Sequence, residues 1–210
     1  MRRIMTLAIA LIAGFGFSMS EVRADHIVVA TPNDFIQALG DEAMRVLQDP
    51  QSTREERERR FLALYRSHFD GRDIAQAIVG RPWQSATTSE RNGLNGLADE
   101  YITRKLVFHL WAFRGATFKA PWFGADGGKI IVISEASQPE TRKHLNIKWI
   151  LRPEGRAWKI YDVYIEGFSL RLMEQREFKS LFHRFGGTVA GLMRAFSEEI
   201  AKISRLELRG

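Results

Sequence analysis

The apolar residues of this chain keep a helical period up to Gly115, alternate from there to Phe168, and then return to a helical period. That double change constrains the fold more than any other feature, because helices bury every third or fourth residue and strands every second one. Before the switch, three segments open on the same signature: Thr31-Pro32-Asn33-Asp34, Thr53-Arg54-Glu55-Glu56 and Thr87-Thr88-Ser89-Glu90. Each sets a hydroxyl at the N-cap and a carboxylate three residues on, where both can satisfy free backbone donors. The spacing predicts helices over about Asn33–Gln48, with Ile36, Leu39, Ala43 and Val46 on one stripe, and over Arg54–Phe69, with Phe61, Leu64, Tyr65 and His68. A short helix from Asp73 to Val79 ends at Gly80, and a long one is expected over Ser89–Phe113.

After Gly115, alternation predicts four strands: Thr117–Phe123, Lys129–Glu135, Leu145–Arg152 and Trp158–Phe168. Links as short as Pro153-Glu154-Gly155-Arg156 permit only antiparallel neighbours. Phe178, Leu181, Phe182 and Phe185 then restore the helical stripe, and Val189, Leu192, Met193, Phe196, Ile200 and Ile203 continue it beyond Gly186-Gly187. The order predicts one α+β domain, a twisted antiparallel sheet packed by helices from both ends of the chain. Apolar residues on both faces of some strands fit either a sheet covered twice by helices or a cavity between a curved sheet and its helices. Periodicity leaves both open.

The first residues are of another kind. Arg2-Arg3, an apolar run from Ile4 to Phe17 and Ser18-Met19-Ser20-Glu21-Val22-Arg23-Ala24 follow the pattern of a secretory signal, with cleavage expected after Ala24. The run is shorter than the roughly 20 residues of a spanning helix. Residues 1–24 are therefore expected to be a signal peptide and 25–210 a single exported domain, placed in the periplasm. Loss of Arg2, Arg3, Arg23 and Glu21 lowers the net charge from +6 to +4. The remaining charge is spread along the chain and marks no nucleic-acid surface.

Few residues suggest covalent chemistry. The chain has no cysteine, so thiol nucleophiles and Cys-ligated metals are excluded. Its five histidines show no metal-ligand spacing, and no nucleophile elbow or phosphate-binding glycine loop is present. Neither a metal nor a cofactor is expected. The best catalytic candidate is the pair Asp162 and Glu166, which alternation sets on one strand face with Trp158, Ile160 and Tyr164. A buried Asp among aromatics can serve as a general acid or base. The more ordinary role for Asp162 is to pair with an Arg or hold a backbone turn, and no enzyme activity is expected.

One ordered set of motifs resembles a known family. Phe35-Ile36-Gln37-Ala38-Leu39-Gly40-Asp41, Phe61-Leu62-Ala63-Leu64, Phe69-Asp70 with Asp73-Ile74-Ala75, Gly80-Arg81-Pro82-Trp83-Gln84-Ser85-Ala86-Thr87 and Arg91 are similar to the helical half of the toluene-tolerance, or MlaC-type, periplasmic lipid-binding proteins. The run from Trp158 through Asp162, Glu166 and Gly167 to Leu170 carries the most specific likeness, and Phe178, Gly186-Gly187 and Leu192 extend it, so that it covers about residues 33–196. Phe108-His109-Leu110-Trp111-Ala112-Phe113 departs from the usual pattern in being strongly aromatic, and the loop Gln138 to His144 is short.

The resemblance implies an NTF2-like sheet, a deep apolar pocket for acyl tails, and a shuttle that takes phospholipid between an inner-membrane ABC-transporter complex with a lipid-binding periplasmic ring and an outer-membrane lipoprotein. Such a shuttle maintains outer-membrane lipid asymmetry. One branch of the family is associated with hopanoids, so another isoprenoid cargo is an alternative, and an NTF2-like enzyme using Asp162 is an alternative of a different class. A carrier is physically needed for lipid: exposing a sixteen-carbon chain to water costs about 12 kcal/mol at about 0.8 kcal/mol per methylene. Strand alternation and the helix stripes nominate Ile131, Ile133, Ile147, Trp149, Val163 and Ile165 as pocket lining, with Trp83, Phe108 and Phe178 from the helices. Trp158, Asp162, Gly167 and Ser169 are read as fold determinants, Gly167 at a turn and Ser169 as a helix cap.

Overall fold

The computed structural model describes residues 31–138 and 141–207, so the expected signal peptide lies outside the described residues. The helical half comprises α1 (Pro32–Gln48), α2 (Arg54–His68), α3 (Gly71–Val79), the single turn α4 (Pro82–Ser85) and α5 (Thr88–Leu110). Thr31, Thr53 and Thr87 are the N-caps of α1, α2 and α5, each accepting a backbone N–H from the residue three positions on. At Thr87 the Glu90 carboxylate also accepts the cap's own N–H, which completes the capping box. The long helix stops earlier than expected. It ends at Leu110, and Trp111–Phe113 forms a separate 3₁₀ turn.

The sheet contains β1 (Thr117–Asp126), β2 (Lys129–Gln138), β3 (Lys143–Glu154), β4 (Ala157–Ile165) and the two-residue β5 (Phe168–Ser169), antiparallel and in sequence order. The expected fourth strand is divided, because Glu166 and Gly167 take positive φ angles of 49° and 84° and turn the chain back on itself. Helices α6 (Leu170–Arg184) and α7 (Val189–Glu207) follow.

Edge strand β1 is covered by α1 rather than left bare. The Gln37 side chain donates to the Phe118 carbonyl and accepts from the Ala120 N–H, at 3.1 and 2.8 Å. Those bonds occupy backbone groups that an edge strand otherwise offers to another chain. Gly40 makes the close approach possible: a Cβ there would fall 2.2 Å from the Phe118 ring.

Two cores result. The first lies between α1, α2 and one face of the sheet and centres on Phe35, Ile36, Val46, Val132, Leu151 and Ile160. The second is wholly helical, built by α3 to α7 and Tyr65 around Leu94, Tyr101, Phe178, Leu192 and Phe196. Phe69, between α2 and α3, packs against both. Among the described residues no helix is long and apolar enough to cross a membrane.

Candidate functional site

The face of the sheet turned towards α1 and α2 is an apolar surface assembled across three strands. Val132, Trp149 and Val163 lie side by side in register, Ile147 faces Ile165, and Leu151 faces Ile160. Val132, Ile147, Leu151 and Ile160 are buried, whereas Leu145, Trp149 and Ile165, and Ile130 and Trp158 towards the other end, remain half-buried. Trp149 donates its indole N–H to Ser134 Oγ at 2.7 Å, which satisfies the polar edge of the ring and leaves its apolar part facing the sheet–helix interface. At the Leu145–Ile165 end, Leu110, Phe113 and Leu170 close in from α5, the 3₁₀ turn and α6 as partly buried groups packed on the same core. The 3₁₀ turn is tied to the strands there: Lys143 Nζ donates to the Ala112 carbonyl at 3.0 Å, and the Gln138 side chain donates to the Arg114 carbonyl.

Four of the nine nominated lining residues share this surface: Ile147, Trp149, Val163 and Ile165. Ile131 and Ile133 do not. They pair with Ile150 and Lys148 and point from the opposite face, where Ile133 is 37% exposed. The apolar run Ile130-Ile131-Val132-Ile133 fits either face, and the pairing of Val132 with Trp149 is what orients it. Trp83 and Phe178 are buried in the helical core, apart from the sheet. Phe108 sits at the exposed C-terminal end of α5, 38% accessible.

The catalytic alternative loses its geometry. A bulge at Tyr161 lets Ile150 pair with Asp162 while Leu151 pairs with Ile160, so Asp162 and Tyr164 face outwards and Ile160 inwards. Glu166 lies in the turn, where its carboxylate accepts the Asn146 N–H at 2.7 Å. Both oxygens of the buried Asp162 carboxylate accept hydrogen bonds. Ser169 Oγ donates to it at 2.7 Å, and it also accepts the backbone N–H groups of Val163 and Arg171 at 2.8 and 3.3 Å. Ser169 in turn accepts the Leu172 N–H as the N-cap of α6, as expected. This pair joins the end of the sheet to the start of a helix.

Other polar groups also serve as struts. Lys105 on α5 donates to Glu174 on α6 at 2.6 Å, and Tyr101 Oη donates to the same carboxylate at 2.8 Å; burial, with Glu174 beside it, pushes the Tyr101 phenol well up. The carboxyl of Asp99, on α5 and facing Arg66 of α2, is raised by burial, against the lowering effect of Arg66. Among the described residues two surface grooves stand out. One of about 670 Å³ runs between α1 and the start of β1 and includes Arg45, Asp49, Arg60 and Phe118; the other, of about 400 Å³, lies among Asp73, Trp83, Tyr161 and Arg171. Among the described residues no three His, Asp or Glu side chains are grouped to hold a metal.

The sequence signal for the inner surface was partial. Leu145 was visible in the alternation of β3, but the contributions of Leu110, Phe113 and Leu170 depend on where α5 ends and α6 begins, which no period reveals.

Comparison with known proteins agrees with this fold. The family described as MlaC protein matches residues 37–198. No curated protein matches the sequence. Among solved structures, a phospholipid-binding protein from Ralstonia solanacearum, determined in complex with a phospholipid, shares the fold with a TM-score of 0.70 at 19% identity, over 83% of this chain and 99% of that one.

Proposed function

Because the chain belongs to the MlaC family, we propose that it is a phospholipid carrier whose acyl tails occupy the interface between the inner face of the sheet and helices α1, α2 and α5. The observation that carries this reading is the set of half-buried apolar groups, Leu145, Trp149 and Ile165 among them, on the inner face of the sheet, in a fold shared with a protein held in complex with a phospholipid. Apolar side chains left partly wet inside a domain are a cost that acyl tails remove, at about 25 cal/mol for each Å² covered. No covalent step is required, and the engagement of Asp162 by Ser169 and the backbone agrees with a carrier rather than an enzyme.

Family membership also supports a wider role. The carrier is exported by its N-terminal signal, works in the periplasm, and exchanges phospholipid between an inner-membrane ABC-transporter complex and an outer-membrane lipoprotein, which sustains the asymmetry of the outer membrane.

The site is tested by photolabelling. A phospholipid with a diazirine at the end of one tail, loaded into the protein and irradiated, is expected to form adducts on Ile147, Trp149, Val163 or Ile165. Adducts confined to Ile131 and Ile133, or to the Trp83–Phe178 core, would place the tails elsewhere and reject the assignment.

A further inference from the structure

The aromatic run at the end of α5 has no part in either core beyond Leu110 and Phe113. Trp111, 39% accessible, lies in the 3₁₀ turn beside the Leu145–Ile165 end of the inner surface. Two guanidinium groups rest against its ring, that of Arg57 from α2 at 4.9 Å and that of Arg114 at 4.8 Å from the ring centroid. Lys143 reaches the same turn from β3 through the Ala112 carbonyl. Among the described residues, Arg57 and Arg114 are otherwise held through carbonyl oxygens, of Ser52 and Trp111 respectively.

Three cations thus converge on one exposed turn, and among the described residues no carboxylate forms an ion pair with any of them. Glu55 is the acid that feels Arg57. Its carboxyl is held down chiefly by hydrogen bonds from its own backbone and Thr53, with Arg54 and Arg57 contributing less. Like charges gathered without a counter-charge repel each other, and an anion relieves that cost. Guanidinium groups suit a phosphate because each offers paired donors in one plane. The indole adds a surface that is apolar on its faces and wet at its edge, and at the rim of the domain the anion need not be fully dehydrated.

We infer that Arg57, Arg114 and Lys143 around Trp111 form an anion site for the phosphate of the cargo's head group, while the tails pass Leu110 and Phe113 into the inner surface. The inference rests on the carrier reading and adds to it a requirement for phosphate. The shared chemistry, a phosphate oxyanion, also belongs to free inorganic phosphate, so the test separates the two sources.

Delipidated protein is incubated with vesicles of phosphatidylcholine containing either phosphatidylglycerol or diacylglycerol with the same tails, then repurified and extracted. The wild type is expected to retain phosphatidylglycerol over diacylglycerol by about tenfold, a difference of about 1.4 kcal/mol. The variant carrying Arg57→Gln and Arg114→Gln is expected to lose most of that preference while still taking up diacylglycerol, which shows that it folds and that its tail compartment works. Equal retention of the two lipids by the wild type, or a preference unchanged in the variant, overturns the head-group site and leaves the carrier reading standing. Retention of neither lipid overturns both. Phosphorus NMR with inorganic phosphate alone supplies the last arm: broadening by the wild type and not by the variant, with no lipid preference, identifies a free-phosphate site and overturns the assignment.

Discussion

Alanine in place of Phe178 is expected to lower the unfolding free energy by about 3–5 kcal/mol, the range for removing a fully buried phenyl ring. Phe178 is 1% exposed, stacks on Phe196 with ring centroids 3.9 Å apart and meets the edge of Tyr101 at 5.1 Å. It therefore connects α6 to both α5 and α7, and the void left by alanine sits where three helices meet. Urea denaturation of the wild type and the variant measures the effect as a lower midpoint at an unchanged slope. Phe178→Leu, which keeps much of the apolar volume, is expected to recover more than half of the loss. The same pair of variants tests whether Phe178 lines the lipid compartment. A residue of the helical core costs stability when truncated and leaves lipid retention per folded molecule unchanged, whereas a tail contact does the reverse.

The second large effect is expected at Asp162. Alanine there strands the Ser169 hydroxyl and two backbone N–H groups in a buried place, at about 1–3 kcal/mol for each donor that finds no other partner. A total of about 3 kcal/mol or more is expected from thermal or urea unfolding. Asp162→Asn retains one acceptor oxygen, so it is expected to cost less, about 1–2 kcal/mol. Ser169→Ala removes both the bond to Asp162 and the cap of α6, and its effect with Asp162→Ala in a double-mutant cycle is expected to be well short of additive. If Asp162→Asn folds as stably as the wild type, the carboxylate is not the strut described here.

How far the sequence foretold this arrangement differs by element. The helix starts were legible because Thr31, Thr53 and Thr87 act locally: a cap and its partner lie three residues apart, and no distant contact is needed to form the bond. Gly167 and Ser169 were legible for the same reason, as a turn with positive φ and a cap. The sheet order was legible from its short links.

What a period cannot express is an extra residue. The bulge at Tyr161 inserts one, so Asp162 and Ile160, read as neighbours on one face, stand on opposite faces. The irregularity between Lys119 and Trp122 does the same to β1, which continues to Asp126, beyond the expected end at Phe123. In β2 four consecutive apolar residues carry no alternation, so the placing of Ile131 and Ile133 depended on a partner strand. The division into two cores was also hidden, because the stripe containing Phe178 and the strand containing Ile147 are equally apolar and only their packing separates them.

These features support one another in a carrier. Gln37 and Gly40 hold α1 against β1, and Asp162 with Ser169 fixes the start of α6 to the end of β4. Lys105 with Glu174 then ties α6 to α5. The walls of the inner surface are thereby anchored at positions outside it, and in the carrier proposed above Leu145, Trp149 and Ile165 exchange contacts with helices for contacts with acyl tails.

The most direct test is organic extraction of the mature protein, purified without detergent from a periplasmic fraction, followed by mass spectrometry of the extract. The account predicts diacyl phospholipid in about one-to-one proportion to protein, reduced when Trp149 is replaced by a residue that leaves the fold intact. A hopanoid or other isoprenoid in the same proportion would retain the carrier and replace its cargo. Protein that is folded, lipid-free and unable to take up phospholipid from vesicles would contradict the account.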